Sequence, residues 1–288
     1  GASAWKRGLI QAAPGRAIAY IDYEQQEFAI AAALSKDANM MEAYRSGDAY
    51  LAFARQAGAI QGEYDEQTHK QIRTQYKICA LGVQYGMGEV TLAERINQPP
   101  CHARKLLRLH RQTYPRFWNW SDAVVDYAML KGCIHTVFGW TLHVGPASKP
   151  TSIRNFPMQS NGAEILRLAC SLLIARGVNV CATVHDAVLI DENAEDVEAL
   201  ADLAQEAMAE AGRIVLDGFE LRTEVKIFRH PDRFADERGE EMWRTVLELI
   251  DEIEGYNPKL GRAPDTRTHT QPRTQACAPG PSNNKYSS

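Results

Sequence analysis

Residues 17–27 read AIAYIDYEQQE, and no other stretch constrains the fold as much. Ile18, Tyr20 and the β-branched Ile21 predict a buried strand, with an acid, Asp22, at its carboxyl end just before a helix-like run at residues 28–34. A carboxylate beside an apolar strand is costly to bury unless a cation or hydrogen-bond donors stand next to it. Asp22 therefore has either a structural task, capping the helix that follows, or a chemical one. A second acid stands in a similar setting. Residues 178–185 (VNVCATVH) read as a strand, Asp186 follows, and residues 187–190 (AVLI) read as a strand again, so His185-Asp186 is expected at the tip of a hairpin. Two such aspartates, far apart in sequence, are what two divalent metals about 4 Å apart require as bridging ligands. Hard oxygen ligands of this kind suit magnesium.

The 288 residues, 45% hydrophobic, suffice for one domain with a large insertion or for two small ones. No run of about 18 apolar residues occurs, and residues 1–14 lack the apolar centre of a signal peptide. The expectation is a soluble, cytoplasmic protein with no membrane partner. Six scattered cysteines without a C-x-x-C pair argue against a zinc site and for reduced thiols. The first residue is Gly rather than Met, which suggests a fragment or a processed piece.

Asp48 is placed to cap a helix through Gln56, and Thr68 to open a longer one through Tyr85 that stops at Gly86. Residues 90–96, closed by Pro99-Pro100, residues 103–114, closed by Pro115, and residues 117–131 continue the helical run. Residues 133–144, with Phe138-Gly139-Trp140 at the centre, read as a hairpin. Helices are expected over residues 161–176, 194–211 and 239–254. Residues 221–228 alternate as an edge strand that pairs with the hairpin at Asp186. From residue 256 onward the chain is Pro, Thr, Ser, Asn and Arg with almost no large apolar residue, and is expected to be disordered. The fold class is thus α+β, a small antiparallel sheet carrying both acids and an α-helical insertion.

Residues 72–87, IRTQYKICALGVQYGM, decide the function. On a helix Arg73, Lys77, Leu81 and Tyr85 recur every four residues and share one face, while Ile72, Tyr76, Cys79 and Val83 form an apolar stripe beside it. Two cations a turn apart suit a row of phosphates, and the tyrosine ring can stack on a base or sugar. The alternative is a solvated basic face with Tyr85 in the core. Between Gln67 and Trp118 the bases are Lys70, Arg73, Lys77, Arg95, Arg104, Lys105, Arg108, Arg111 and Arg116, against Glu89 and Glu94 alone as acids. A cationic subdomain in a protein of net charge −4 points to a polyanion.

These segments resemble the fingers and carboxyl-terminal palm of a family A DNA polymerase. Asp22-Tyr23-Glu24-Gln25-Gln26-Glu27 resembles the first palm motif, Arg73-x-x-x-Lys77 with Tyr85-Gly86 the fingers helix, and Val184-His185-Asp186 the second palm motif. Asn155-Phe156-Pro157-Met158-Gln159 resembles the segment that lies along the minor groove of primer-template DNA. The resemblance runs from about residue 14 to 228, with four motifs in order.

The resemblance implies template-directed DNA synthesis from a dNTP and a primer 3′-OH, with Asp22, Asp186 and Lys77 as catalytic residues. Two magnesium ions would be held by Asp22, Asp186 and the backbone carbonyl of Tyr23, one activating the primer oxygen and the other steadying the leaving pyrophosphate. Arg73 and Lys77 would grip the β- and γ-phosphates, and Tyr85 would sit by the sugar and templating base. Glu27 would be the steric gate against a 2′-hydroxyl, with Gln25 and Leu81 completing the nucleotide pocket. Asn155, Gln159 and Arg154 would contact DNA, and His185 the primer end. It also implies a division into a palm strand (residues 1–27), fingers (28–150), palm (151–235), a carboxyl-terminal helix (236–255) and a tail (256–288).

Departures from the family pattern are Glu24 for Ser, Ala29 for Arg, Leu81 for an aromatic, Thr151 for Arg, and Ala187 for the Glu after His-Asp. Glu24 is expected to restore negative charge lost at Ala187. Only about twenty residues precede the first motif, so a thumb and part of the palm are expected to lie elsewhere, in a longer chain or in the other half of a split enzyme. The rivals are a catalytically inactive nucleic-acid-binding remnant, a two-metal nuclease, which has no use for an Arg-Lys-Tyr helix, and a single-subunit RNA polymerase, against which Glu27 argues.

Overall fold

The computed structural model describes residues 4–61 and 67–255; the expected disordered tail lies outside them. The fold is α+β. After a 3-10 turn at Ala4–Leu9 comes β1 (Arg16–Tyr23), followed by α1 (Gln26–Ser35), α2 (Ala38–Arg45), α3 (Ala49–Gln56), α4 (Lys70–Gln84), α5 (Glu89–Ile96), α6 (Pro100–Thr113) and α7 (Pro115–Lys131). A small hairpin, β2 (Cys133–His135) and β3 (Thr141–His143), precedes the long α8 (Pro150–Ala175). Then come β4 (Val180–Val184), β5 (Ala187–Asn193), α9 (Val197–Val215), β6 (Thr223–Arg229), a second 3-10 turn at Glu237–Gly239, and α10 (Glu240–Gly255). Among the described residues no helix is long and apolar enough to cross a membrane.

The four-stranded antiparallel sheet has the order β4-β5-β1-β6. β6 is therefore an edge strand, as its pattern predicts, but it pairs with β1, Asp22 opposite Glu224, and not with the β4–β5 hairpin. Charge alternation identifies an edge without naming the neighbour, and here β1 lies between. Successive side chains of β1 take opposite faces. Ala17, Ala19, Ile21 and Tyr23 join the main core under α9, whose Ala201, Ala204, Ala207 and Ala211 are buried. Alanine on both surfaces lets helix and strand approach closely. Ile18 and Tyr20 face the other way, into a small cluster with Ala187, Leu189 and Phe234, and Asp22 continues that face.

Three helix boundaries follow from chemistry that periodicity does not show. The polar-looking α2 was not expected; it forms because buried Asp37 caps it, one oxygen accepting from the amides of Asn39 (3.1 Å) and Met40 (3.2 Å). The other oxygen accepts from the amide of Phe117 (3.1 Å) in the first turn of α7, so one carboxylate serves two helices. α5 ends at Asn97 in the left-handed conformation (φ 50°), while Pro100 opens α6 rather than closing α5. α8 begins eleven residues before the expected start and runs through Pro157. Proline removes a helical amide; in the turn that follows, Ser160 donates to the Phe156 carbonyl and Asn161 to that of Pro157 (2.8 Å).

Helices α3, α6 and α7 meet at His110, which is 1% exposed among Phe53, Tyr114, Phe117 and Trp118. The Trp118 indole donates to His110 Nδ1 (3.2 Å), which requires the neutral ring. Burial lowers the His110 pKa to about 3. The folded pKa lies below the unfolded value of 6.5, so the unfolded chain takes up the extra proton between them. This stability is complete above pH 6.5 and is lost as pH falls toward 3, by up to about 1.4 kcal/mol per pH unit. Urea unfolding of wild type and His110→Gln at pH 7 and pH 5 tests this. Wild type should lose about 2 kcal/mol more than the variant over that interval, and parallel losses would contradict it.

Candidate active site

β1 and β5 pair with Asp22 opposite Ala187, so Asp186, at the two-residue turn between β4 and β5, stands next to Asp22. The turn places His185 in the left-handed conformation (φ 58°), a backbone uncommon for a side chain of this size. The Tyr20 hydroxyl donates to Asp22 Oδ2 (3.0 Å), while Oδ1 is buried without a partner. Burial, with the Asp186 charge second, pushes the Asp22 pKa up to about 6. Burial likewise raises that of Asp186, with the Glu27 charge adding to it. Asp22 is thus not a helix cap; Gln25 occupies the N-cap position of α1, without capping through its side chain.

A cleft of about 1290 Å³ opens over these acids. Arg73, Lys77, Leu81 and Tyr85, the expected face of α4, line it together with Asp22, Gln25, Glu27, Gln159, His185 and Asp186. Arg73 Nε pairs with Asp48, whose other oxygen caps α3 through the amides of Tyr50 (3.0 Å) and Leu51 (3.1 Å). The guanidinium of Arg73 and the ammonium of Lys77 lie 5.6 and 5.7 Å from the centre of the Tyr50 ring, a buried floor for both cations that the sequence reading did not pick out. The Tyr85 hydroxyl and the Gln159 amide both donate to Glu27 Oε1, and Gln159 Nε2 also lies 3.0 Å from the Tyr85 oxygen. Burial, then Glu27, pushes the Tyr85 hydroxyl up to about 12. Gly86 follows with φ 68°, and a Cβ there would strike Thr151 of α8.

Other expected residues have different surroundings. The side-chain amide of Gln25, although at the cleft, donates to the Gly47 carbonyl and accepts from the Ala49 amide (both 3.0 Å). Arg154 turns to α7, donating to Ser121 (2.9 Å) and Asp122 (2.5 Å), and Asn155 Oδ1 is buried without a partner. The Tyr23 ring is buried, its hydroxyl donating to the Met208 carbonyl (2.8 Å). Glu24 does not replace the acid absent at Ala187: it accepts from Arg222 Nε (3.1 Å), and the additional carboxylate paired across from Asp22 is Glu224. Of the nine bases in residues 67–118 only Arg73 and Lys77 line this cleft. Arg104 is paired with Glu89, and Arg111 stacks on Trp118 at 4.1 Å. Arg7, Arg167 and Arg238 also line the cleft, and no motif or periodicity marks them.

Among the described residues no group of three or more His, Cys, Asp and Glu is gathered as a metal cage. Magnesium does not require one, since it keeps several waters and binds through one or two carboxylates. The adjacent Asp22 and Asp186, with Asp22 Oδ1 lacking a partner, fit such an ion.

An antiparallel sheet carrying paired aspartates thus faces an Arg-Lys-Tyr helix across one cleft. The model of DNA polymerase family A matches residues 3–229, and the chain belongs to that family. It is similar to the thermostable DNA polymerase I of Thermus caldophilus, 27% identical over 218 residues, covering 71% of this chain and 26% of the relative. Similarity to the DNA polymerase I of Aquifex aeolicus is 26% over 235 residues, 77% of this chain and 40% of the relative. The chain thus spans between a quarter and two fifths of these relatives. The fold is similar to that of the POL domain of Pol1 from M. smegmatis, in a complex with DNA primer-template and dNTP. The TM-score is 0.66 at 22% identity, covering 77% of this chain and 41% of that one.

Adjacent like charges destabilise the fold and a divalent cation relieves them. Asp22→Asn should therefore raise the metal-free melting temperature by roughly 2–4 °C, the effect of about 1 kcal/mol in a domain of this size. Magnesium should raise that of wild type but leave the variant nearly unmoved. Equal magnesium shifts in a thermal-denaturation series would show that the cation binds elsewhere.

Proposed function

We propose that this chain carries the nucleotidyl-transfer centre of a DNA-directed DNA polymerase, joining a dNTP to a primer 3′-OH under the direction of a template. The observation that carries this reading is the convergence of Asp22 and Asp186 on one wall of the cleft with Arg73, Lys77 and Tyr85 on the facing helix. Similarity to DNA polymerases I supports it, and because the chain spans less than half of each relative, the activity of a complete enzyme is part of the proposal.

In this reading Arg73 and Lys77 hold the β- and γ-phosphates, fixed over Tyr50 so that little order is lost on binding. Tyr85 covers the sugar and the templating base. Glu27, held by Tyr85 and Gln159, closes the space beside the 2′-carbon. Gln159 lies along the minor groove, with Asn155 nearby, and His185 meets the primer end. Asp22, Asp186 and the Tyr23 carbonyl would hold two magnesium ions, which when bound supply the Lewis acid that activates the 3′-oxygen and stabilises the leaving pyrophosphate.

Template direction can be measured without turnover. With a chain-terminated primer and magnesium, the dNTP complementary to the templating base should tighten the protein–DNA complex and the other three should not, and Lys77→Ala should abolish the difference. Indifference to nucleotide identity would favour the nucleic-acid-binding remnant. In primer extension by a complete enzyme, Asp186→Asn should lower incorporation by roughly 100-fold or more, the loss of several kcal/mol of charge stabilisation, with DNA affinity nearly unchanged.

Sugar choice tests Glu27 separately. Glu27→Ala should raise ribonucleotide relative to deoxynucleotide incorporation, because discrimination is a difference between two transition-state energies. An unchanged ratio of specificity constants would remove Glu27 as the gate and favour the RNA-polymerase reading.

A further inference from the structure

We infer that the tip of the β2–β3 hairpin is a stacking platform for unpaired bases of a single-stranded nucleic acid, the stretch of template outside the primer duplex. The inference rests on the proposed function and adds a contact surface to it. Phe138 and Trp140 are 47% and 58% exposed at the tip, two large aromatic rings presented to solvent two residues apart.

The tip is anchored from beneath. Gly139 N donates to the Thr136 carbonyl (3.0 Å), and φ of 84° at Gly139 completes the turn. Thr136 Oγ1 accepts from the Trp140 amide (2.9 Å) and donates to Glu164 Oε1 of α8 (2.8 Å). Glu164 is 2% exposed, and its second oxygen pairs with Arg167. The Arg167 guanidinium lies 5.9 Å from the centre of the Phe138 ring, and Arg167 lines the catalytic cleft. A buried carboxylate thus fixes both the turn that presents the aromatics and the arginine that joins them to the cleft.

Charge identifies the occupant. Residues 127–149, which carry the hairpin, contain no Asp or Glu, but hold Lys131 and Lys149 together with His135 and His143. A hairpin segment with no acid of its own, two exposed rings and a guanidinium against one of them matches a strand that offers phosphates and free base faces. Paired bases have their faces already stacked, so only unpaired ones can use Phe138 and Trp140.

The test measures binding of the full chain to two DNAs with the same duplex, one blunt and one with a single-stranded 5′ template overhang carrying 2-aminopurine. Phe138→Ala and Trp140→Ala should each weaken overhang binding by about 5-fold or more, leave blunt-duplex binding within about 2-fold, and abolish quenching of the overhang probe. Trp140→Phe should retain most of the affinity. Equal losses on both DNAs, or none, would overturn the inference. So would a wild-type dimer that these variants convert to monomer, which would make the tip an interface between copies. Wild type that binds neither DNA would overturn the proposed function as well, so the two failures are distinguishable.

Discussion

The pairing of Asp22 with Ala187 fixes the chemistry of the whole molecule, because register and side-chain direction are inseparable in a sheet. A slip of one residue would turn Asp22 into the alanine-lined core under α9 and carry Ile21 out to the cleft. The register is held from both sides: Ala17, Ala19 and Ile21 have space only beneath α9, and Tyr20 packs on Phe234 with ring centres 5.1 Å apart. Asp22 reaches the cleft because the hydrophobic pattern of β1 leaves that position no alternative. Asp186 arrives by the same sheet, one residue before the β5 position that faces Asp22.

Local stability is given up at this point. Burial raises the proton affinity of both half-buried carboxylates, the Asp186 charge adds to that of Asp22, one oxygen has no partner, and the adjoining turn holds His185 left-handed. Compensation comes from the surroundings. Tyr20 donates to Asp22, and Arg7 and Arg238 bring positive charge to the same side of the cleft while sharing Asp236 (2.8 and 2.7 Å). The cations on α4, Arg73 and Lys77, line the same cleft from the facing helix.

What was legible in the sequence is what periodicity dictates. A helix through residues 73, 77, 81 and 85 has those side chains on one face wherever it is placed, and alternation along β1 puts Asp22 with Tyr20. Long-range partners were not legible. Gln25 follows Asp22 closely, yet its amide serves the loop at Gly47 and Ala49. Arg154 lies beside Asn155, but α8 continues through Pro157 and directs it at Asp122 of α7. Glu24 has the charge that Ala187 lacks, but Arg222, distant in sequence, takes it. β6 was identified as a strand and assigned the wrong neighbour because sheet order depends on α9 and on the loops between strands.

Charge counting shows the same limit on a larger scale. Nine bases against two acids in residues 67–118 indicate affinity for a polyanion, but composition carries no direction. Arg104 and Arg111 are engaged away from the cleft, while three cations on its wall come from outside residues 67–118: Arg7, Arg167 and Arg238. A cation becomes part of a site when a second group fixes it. Asp48 does so for Arg73 while capping α3, and Glu164 does so for Arg167 while anchoring the hairpin. In both cases one carboxylate couples the shape of a neighbouring element to the position of a cleft arginine. A change in α3 or in the hairpin turn would therefore be felt at the cleft wall without any residue on that wall being altered.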